Sequence, residues 1–313
     1  MNHLRIVSPS DRTAQVLQVL ERNAAVLNVV HLPGAARKPP GDVILCDVVH
    51  EETSVVLAEL RRLGLDREGS IALEEVDVEL AVTARQAEQV ARGAPADAVV
   101  WEQVERRTSE SAELSFTFVT FMILATLIAA AGILTDSQIL IIGAMVVGPE
   151  FGPLAGFCVA IVQRRMELAR RSLLALAVGF PVAIAATALG TWLLREAGRA
   201  PDTVEATSRP ATYFISHPNT FSVIVAVLAG VAGTLSLTTA KSGALVGVLI
   251  SVTTIPAAAN VGVATAYGDW AEFRGALAQL VINLIAICAA GIATLLLQRA
   301  GFARRVRRQA SGG

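Results

Sequence analysis

Residues 139–162 read ILIIGAMVVGPEFGPLAGFCVAIV, and the centre of this apolar stretch decides how the chain is interpreted. The stretch is long enough to cross a bilayer as a helix. Pro149 and Pro153 lack the backbone N–H that a continuous helix needs, and Gly148 and Gly152 loosen the chain between them. We therefore predict two half-helices joined by a short irregular segment. Such a break is stable at membrane depth only where it is buried in protein or lines a wet cavity.

Glu150 lies in the middle of this predicted break. A carboxylate at membrane depth is costly and by default marks a functional site. Broken apolar segments that carry an acidic residue are typical of the substrate sites of transporters. We interpret Glu150 as a candidate carrier of a proton or another cation. The alternative is a structural glutamate that bonds to backbone groups around the two prolines.

Composition indicates a polytopic membrane protein with a soluble N-terminal part. Of the 313 residues 53% are hydrophobic, and the mean hydropathy is +0.56, which is too apolar for a soluble protein of this length. Residues 1–113 carry 12 basic and 19 acidic side chains, whereas residues 114–313 carry 14 basic and 8 acidic ones. The first 30 residues lack a signal-peptide core, so we expect the N-terminal part in the cytoplasm.

The N-terminal residues 1–80 predict a small α+β domain. Their patterns give strand, helix, strand, strand, helix, strand, which is the ferredoxin-like βαββαβ order. In topology this order resembles small-molecule sensor domains of the ACT type, so one hypothesis is that the domain binds a cytosolic effector. An oligomerisation or stability module is the other interpretation. Residues 81–113 predict polar helical connectors.

The membrane domain, residues 114–297, predicts six spans, of which two are broken. A basic cytosolic tail, residues 298–313, follows the last span. If the N-terminal domain is cytoplasmic and both broken segments cross fully, the arginine-rich loop 163–171, Lys241 and the basic tail all face inward, as the positive-inside rule requires. Re-entrant broken segments are the alternative; they would keep the tail inside but move the loop 163–171 outward, so they rank lower. The predicted spans are 114–134, the broken segment 139–162, 172–194 interrupted by Pro181, 221–237, the broken segment 244–267 with Pro256 at its centre, and 276–297. Residues 269–274 are predicted to be a loop.

A shift of 104 residues aligns the two halves of this domain, residues 114–195 and 218–299. The shift lays Arg170 on Arg274 and Arg195 on Arg299, and it brings the two proline breaks to within a few residues of each other. Three crossings per half reverse the orientation of the second copy, which predicts an inverted-topology repeat. Because apolar sequences align easily, coincidence is the alternative.

The run GAMVVGPEFGP at 143–153, with SLTTAKSGALVGVLISVTTIPAAANVG at 236–262, resembles a bacterial and archaeal membrane family catalogued as domain of unknown function 389. The resemblance covers about residues 114–297. It implies the membrane architecture and an N-terminal soluble domain, but no activity or substrate. Family members more commonly have apolar residues between the two Gly-Pro pairs, so Glu150 departs from the usual pattern.

The polar groups near the breaks define a candidate path for an ion or small solute. Freed carbonyls and half-helix ends at two facing breaks can coordinate such a solute. Gln279 is a further polar group between apolar spans, and Asn283 and Asn260 have interhelical hydrogen bonding as the alternative role. The candidate path residues are Glu150, Gly148, Pro149, Gly152, Pro153, Thr254, Pro256, Asn260 and Asn283.

These patterns lead us to expect a multi-pass protein of the inner or plasma membrane that acts as a transporter or channel. Cys46, Cys158 and Cys288 have no metal-ligand spacing, and the chain lacks phosphate-binding and hydrolase motifs. We therefore expect no enzyme activity, no cofactor, no metal and no nucleic-acid partner. The expected partners are the lipid bilayer, the solute, a cytosolic effector and further copies of the chain. The alternative function is a membrane-anchored sensor or scaffold without transport activity.

Overall fold

The computed structural model describes residues 1–50, 52–76, 112–201, 219–238 and 253–310, with isolated residues between 104 and 110 and between 203 and 217; beyond residue 301 it describes the backbone alone. The chain divides into two compact units. One consists mainly of residues 1–103, and the other of residues 104–237 and 241–313.

The N-terminal unit is a four-stranded antiparallel sheet with helices. Its strands are β1 (Asn2–Ser8), β2 (Val26–Arg37), β3 (Pro40–Val48) and β4 (Ser70–Glu75), in the order β2-β3-β1-β4. Helix α1 (Thr13–Arg22) joins β1 to β2, while α2 (Thr53–Arg62) and α3 (Leu65–Glu68) join β3 to β4. Apart from the short helix α3, this is the element order that the sequence predicts for residues 1–80, of which residues 1–50 and 52–76 are described.

Alternation along the strands forms the core of this unit, because every second side chain points to the same face. In the sheet register Leu4 lies opposite both Cys46 and Leu73. Leu4 and Cys46 are fully buried, together with Leu20 of α1 and Leu60 of α2. Burial, followed by the charge of neighbouring Asp47, raises the pKa of the Cys46 thiol to about 12.

Asp42 is a polar anchor at the start of β3. Its carboxylate accepts hydrogen bonds from the Gly34 N–H at 2.8 Å and the Ser10 hydroxyl at 3.3 Å, and its Oδ2 lies 3.1 Å from His31 Nε2. The Gly34 bond first, then those to His31, Thr13 and Ser10, lower the pKa of Asp42 to about 2. The carboxylate thus holds the β2–β3 hairpin to the segment after β1.

The second unit contains the candidate membrane-spanning helices, and the chain is a multi-pass membrane protein. Four helices are long and apolar enough to span, and one bent pair can form a fifth span, within the described residues. The helices are α4 (Phe116–Leu134), the bent pair α5 (Gln138–Val147) and α6 (Phe151–Gln163), α7 (Met166–Glu196), α8 (Thr220–Thr238), α9 (Thr254–Tyr267) and α10 (Trp270–Ala310).

The break predicted across residues 148–153 is confirmed, but it is shorter than predicted, because Gly152 and Pro153 already lie in the first turn of α6. Helix α5 ends at Val147, α6 begins at Phe151, and the two axes differ by 49°. Pro149 cannot donate the N–H that would continue the helix to the Met145 carbonyl, so the chain bends there. The first half of the second predicted broken segment, residues 244–252, lies outside the described residues, as do Lys241 and most of the connector 81–113.

Two details of the sequence prediction are wrong. Pro181 does not interrupt the third span, because α7 runs continuously from Met166 to Glu196; spanning helices tolerate proline where neighbouring groups satisfy the freed carbonyl. Residues 270–274 are not a loop, because α10 already begins at Trp270. Its N-terminal turn is fixed by the Asp269 carboxylate, which accepts from the N–H groups of Ala271 and Glu272.

Several landmarks of this unit are separated by 104 residues. Helices α4 and α8 begin and end at that separation, and α7 and α10 begin at it. Arg164 and Gly268, which end α6 and α9, both adopt the left-handed backbone conformation, with φ of 59° and 70°. The two helical hairpins α6–α7 and α9–α10 therefore turn in the same local conformation.

Candidate functional site

Glu150 lies in the bend between α5 and α6, just before the first residue of α6. Its side chain is buried, with 2% of its surface exposed. Thr254, the first residue of α9, donates its hydroxyl to Glu150 Oε1 at 2.7 Å. The break in one half of the membrane unit therefore meets the start of the described helix of the other half.

The second carboxylate oxygen, Glu150 Oε2, accepts no hydrogen bond from the described residues. It lies against the Cα of Gly148, where an added Cβ would clash with Oε2 and would lie 2.6 Å from Ile255 Cγ1. A side chain at position 148 would press on the Glu150 carboxylate and on the Ile255 side chain. Leaving a buried carboxylate oxygen without a donor is energetically costly.

Charge near Glu150 is sparse. Between residues 116 and 163 the sequence holds only Asp136 and Glu150 as charged side chains. Among the ion pairs of the described residues, none involves Glu150. Nor do the described residues hold a group of three or more His, Cys, Asp or Glu side chains that could bind a metal ion. Among the described residues, Glu150 therefore has no cationic side chain that pairs with its charged form.

A chain of amide side chains on α10 continues from the start of α9. Asn283 Nδ2 donates to Thr253 Oγ1 at 2.7 Å, and Gln279 Nε2 donates to Asn283 Oδ1 at 3.1 Å. Gln279 Oε1 is buried and accepts no hydrogen bond from the described residues. Thr253 and Thr254 thus connect two polar groups from different helices, one carboxylate on the α6 side and one amide pair on α10.

Asn260 and Glu272 form another buried pair nearer the α9–α10 turn. Asn260 Nδ2 donates to Glu272 Oε2 at 3.1 Å. Asn260 is 2% exposed and Glu272 is 8% exposed. The Glu272 carboxylate is therefore also buried in the second unit, although Glu272 lies close to the N-terminal end of α10.

The structure brings together only some of the residues that the sequence proposes for the path. Glu150, Thr254 and Asn283 join through the contacts above. Gly148 and Pro149 shape the bend, and Gly152 and Pro153 fall in the first turn of α6. Pro256 is buried within the first turn of α9, and Asn260 bonds to Glu272 instead of to the Glu150 group.

Sequence reasoning missed Thr253 and Glu272. Thr253 was missed because no sequence pattern distinguishes it from an ordinary residue next to Thr254. Glu272 was assigned to a loop. The signal that finds it is spacing, since residues 272, 279 and 283 fall on one face of a helix that starts at Trp270.

Comparison with known proteins identifies a family domain in part of the second unit. A profile described as domain of unknown function (DUF389) matches residues 145–289, which include the bend, α9 and the amide pair of α10. Residues 145–289 form a DUF389 domain. Glu150, Thr254 and Asn283 all lie inside it, whereas the N-terminal sheet lies outside it.

The chain is also similar to the uncharacterized protein MJ0678 of the archaeon Methanocaldococcus jannaschii. It is 29% identical over 189 residues, which are 60% of this chain. The matched part of the chain spans 56% of the relative's length. No solved structure gives a significant match.

Proposed function

We propose that this protein is a transporter or channel for an ion or a small polar solute, and that the path passes the bend at Glu150. The observation that carries the proposal is the buried Glu150 carboxylate, which has one oxygen bonded to Thr254 and the other without a donor in the described residues. A buried carboxylate at a helix break is costly, and at membrane depth such a group by default marks a functional site. The proposed role is binding and passage, without enzyme chemistry.

The proposal includes an inverted repeat of three crossings, with six spans in all. Its support is the 104-residue offset of helix ends together with a pair of exchanged contacts. Arg195 Nη1 donates to the Ala266 carbonyl at 2.5 Å, and Arg299 Nη1 donates to the Val162 carbonyl. Adding 104 to the donor of the first bond and subtracting 104 from its acceptor gives the second bond. Two copies related by a two-fold axis produce this exchange.

The proposed topology places both termini in the cytoplasm of an inner or plasma membrane. The arginine-rich segment at 164–171 then faces inward, as the positive-inside rule requires. The sheet order β2-β3-β1-β4 supports a ferredoxin-like assignment for the N-terminal domain. Its binding of a cytosolic effector remains a hypothesis.

Flux into proteoliposomes tests the function. Wild-type protein is reconstituted and offered a panel of ions and small metabolites, beside Glu150→Gln and a matched control, Glu167→Gln. Glu167 is an exposed glutamate of α7 that pairs with Arg171. We expect solute flux in the wild type and the control, and its loss in Glu150→Gln with the fold intact. Equal flux in Glu150→Gln would contradict the proposed path, and silence across the whole panel would favour a scaffold.

A further inference from the structure

Two of the three cysteines lie on different helices of the second unit and contact each other. Cys158 lies in the middle of α6 and Cys288 in the middle of α10. The Cys158 thiol donates to the Cys288 backbone carbonyl, with Sγ and O 3.6 Å apart. The two thiols are also within hydrogen-bonding range of each other, and neither is in a disulfide. The fold thus brings two sulfur atoms together across 130 residues of sequence.

The helices approach each other closely at this point. A Cβ added at Gly291 of α10 would lie 3.1 Å from Cys158 Sγ and 3.7 Å from Cys158 Cβ. The two Cβ atoms of a disulfide are about 3.8 Å apart. At the level of Gly291, α6 and α10 therefore have the spacing of a disulfide. Cys288 lies on the same face of α10, one turn earlier.

Packing alone does not require sulfur at such a crossing. In the proposed repeat, the 104-residue offset relates Cys158 to Gly262 of α9 and Cys288 to Ile184 of α7. A Cβ added at Gly262 would lie 2.9 Å from the Ile184 carbonyl oxygen and 2.8 Å from Thr187 Cβ. The approach to a backbone carbonyl thus recurs at the equivalent crossing, where a glycine packs against a threonine and no thiol is present.

The surroundings of the two thiols favour a neutral product. Cys158 is 3% exposed, and a charged group at membrane depth is costly. A monovalent cation held by two thiolates would leave a net negative charge there, whereas a disulfide is neutral. Cys288 is partly exposed, so a small oxidant reaches it first. The thiolate is the reactive form of cysteine, and a neighbouring S–H donor stabilises it.

We propose that Cys158 and Cys288 form a site of reversible oxidation, where hydrogen peroxide links α6 to α10 through a disulfide. Peroxide first transfers one oxygen to Cys288 Sγ, which gives a sulfenic acid and one water. Cys158 Sγ then attacks that sulfur, the S–S bond forms and the S–O bond breaks. The departing hydroxide takes the Cys158 proton as a second water. The two sulfurs together lose two electrons, and the peroxide gains them.

The disulfide holds the helix that follows the Glu150 bend against α10. In oxidised protein α6 therefore cannot slide along α10, and a reducing thiol restores that freedom by exchange. This inference goes beyond the proposed function, because it concerns a covalent link and not the passage of a solute.

Labelling of free thiols in the full-length protein tests the site. Cys46→Ala removes the third cysteine, so that only Cys158 and Cys288 remain. The protein in liposomes is treated with hydrogen peroxide, denatured and labelled with a maleimide that shifts its mobility on a gel. We expect both thiols to be labelled before oxidation, neither afterwards, and both again after dithiothreitol. The oxidised protein should run as a single chain.

Two control variants carry Cys46→Ala and Cys288→Ala and place the second thiol elsewhere on α10. Ile285→Cys places it on the outward face, since Ile285 is 64% exposed. This variant should form a disulfide with Cys158 at least about tenfold more slowly than the natural pair, because neighbouring groups react without a search. Gly291→Cys places it at the 3.7 Å spacing. This variant should form the disulfide, which shows that peroxide reaches Cys158.

Peptide mass spectrometry checks the link in wild-type protein with all three cysteines, and so does not depend on the fold of the Cys46→Ala variant. We expect the peptide that contains Cys158 to be joined to the peptide that contains Cys288. Hydrogen exchange in α6 should be slower in the oxidised protein than in the reduced protein, because the link holds the helix in place.

Three results would overturn the inference. One is an equal rate for the natural pair and the Ile285→Cys variant. Another is a natural pair that stays reduced while the Gly291→Cys variant forms its disulfide, which would assign the two thiols to packing. The third is no disulfide in any of these proteins, since peroxide then does not reach the thiols. None of these results bears on solute flux, so the proposed function is tested separately.

Discussion

Thr254 donates a hydrogen bond of 2.7 Å to Glu150 across 104 residues of sequence. The same separation relates the ends of α4 to those of α8. In the proposed repeat, the two residues are therefore equivalent positions that touch each other. A residue that contacts its own equivalent lies next to the two-fold axis that relates the two copies. The hydrogen bond from Thr254 to Glu150 therefore lies at the proposed axis.

Replacing Thr254 by valine should destabilise the membrane unit. Glu150 Oε1 would lose its donor, and an unsatisfied buried acceptor costs about 1–3 kcal/mol. Combining Thr254→Val with Glu150→Gln should cost less than the sum of the single changes, because the two groups are one pair. Thermal unfolding in detergent measures this. Additive effects would mean that the bond contributes nothing to stability.

Gly148→Ala should also destabilise, for a steric reason. The new Cβ would press on Glu150 Oε2 and Ile255, which costs about 1–3 kcal/mol when a packed site is overfilled. Ile255→Val, which removes Cδ1, should recover part of the loss. Gly143→Ala is the matched control, since a Cβ at Gly143 of α5 meets no atom within 4 Å. That control should be neutral or stabilising, because alanine favours helix.

The two arginine contacts should be local and separable. Arg195→Ala should speed hydrogen exchange in the last turn of α9, and Arg299→Ala should speed it in the last turn of α6, because each removes one donor to a carbonyl there. A hydrogen bond of this kind contributes about 0.5–1.5 kcal/mol, or up to roughly tenfold in exchange rate. Arg195 additionally stacks on Tyr267, at 4.2 Å from the ring centroid.

Hydrogen exchange is measured by mass spectrometry of peptides from the full-length protein, which separates the end of α6 from the end of α9. Arg274→Ala is the control, because Arg274 bonds to Trp270 within its own helix. If either arginine substitution increased hydrogen exchange equally in both hairpins, α6–α7 and α9–α10, the two contacts would not stabilise their helix ends independently.

The turn residues Arg164 and Gly268 should respond to substitution in opposite directions. Both have positive φ, which costs an L-residue roughly 1 kcal/mol or more and glycine little. Arg164→Gly should therefore be neutral to stabilising, and Gly268→Ala destabilising by about 1 kcal/mol. Chemical unfolding of both variants provides the comparison. Destabilisation by Arg164→Gly would show that the arginine side chain outweighs the backbone cost.

Acid should weaken the N-terminal unit through Asp42. The folded-state pKa of Asp42, about 2, lies below its ordinary value of 3.8. Its stabilising effect is therefore complete above about pH 4 and is lost as the pH falls through 2. Asp42→Asn should be less stable than wild type at pH 6 and should lose less stability on acidification.

The reaction rate of the Cys46 thiol measures how often the sheet of the N-terminal unit opens at a given pH. The thiol is fully buried, so in a background with serine at Cys158 and Cys288 it reacts with a disulfide reagent active at low pH only when the sheet opens. We expect the wild-type reaction rate to rise between pH 4 and pH 2, and the Asp42→Asn rate to be higher at pH 6. A flat wild-type profile would mean that Asp42 contributes nothing.

The helix break was predictable from sequence because its cause is local. Gly148, Pro149 and Glu150 are adjacent, and proline chemistry dictates the bend. The same holds for the sheet of the N-terminal unit, where period-two alternation fixes the buried face. Thr254 and Asn283 were found because polar groups are rare in apolar segments.

The rest depended on distant contacts that no local pattern encodes. Glu272 looked like a loop residue because charged neighbours Asp269 and Arg274 dilute the helical pattern, and only the position of the helix start at Trp270 places it inside. The partner of Asn260 could not be predicted either. Pairing an amide with a carboxylate twelve residues later requires knowing how α9 packs on α10.

The meeting of Glu150 with Thr254 also bears on how such a protein can have evolved. Two separate copies of one three-helix polypeptide, packed antiparallel, would place identical residues at this contact. Two glutamates would repel each other, and two threonines would supply no acid. Joining the copies in one chain permits an acid on one side and a hydroxyl on the other. In the proposed repeat, a duplicated and fused gene is thus what allows a single negative charge to reside on a symmetry axis.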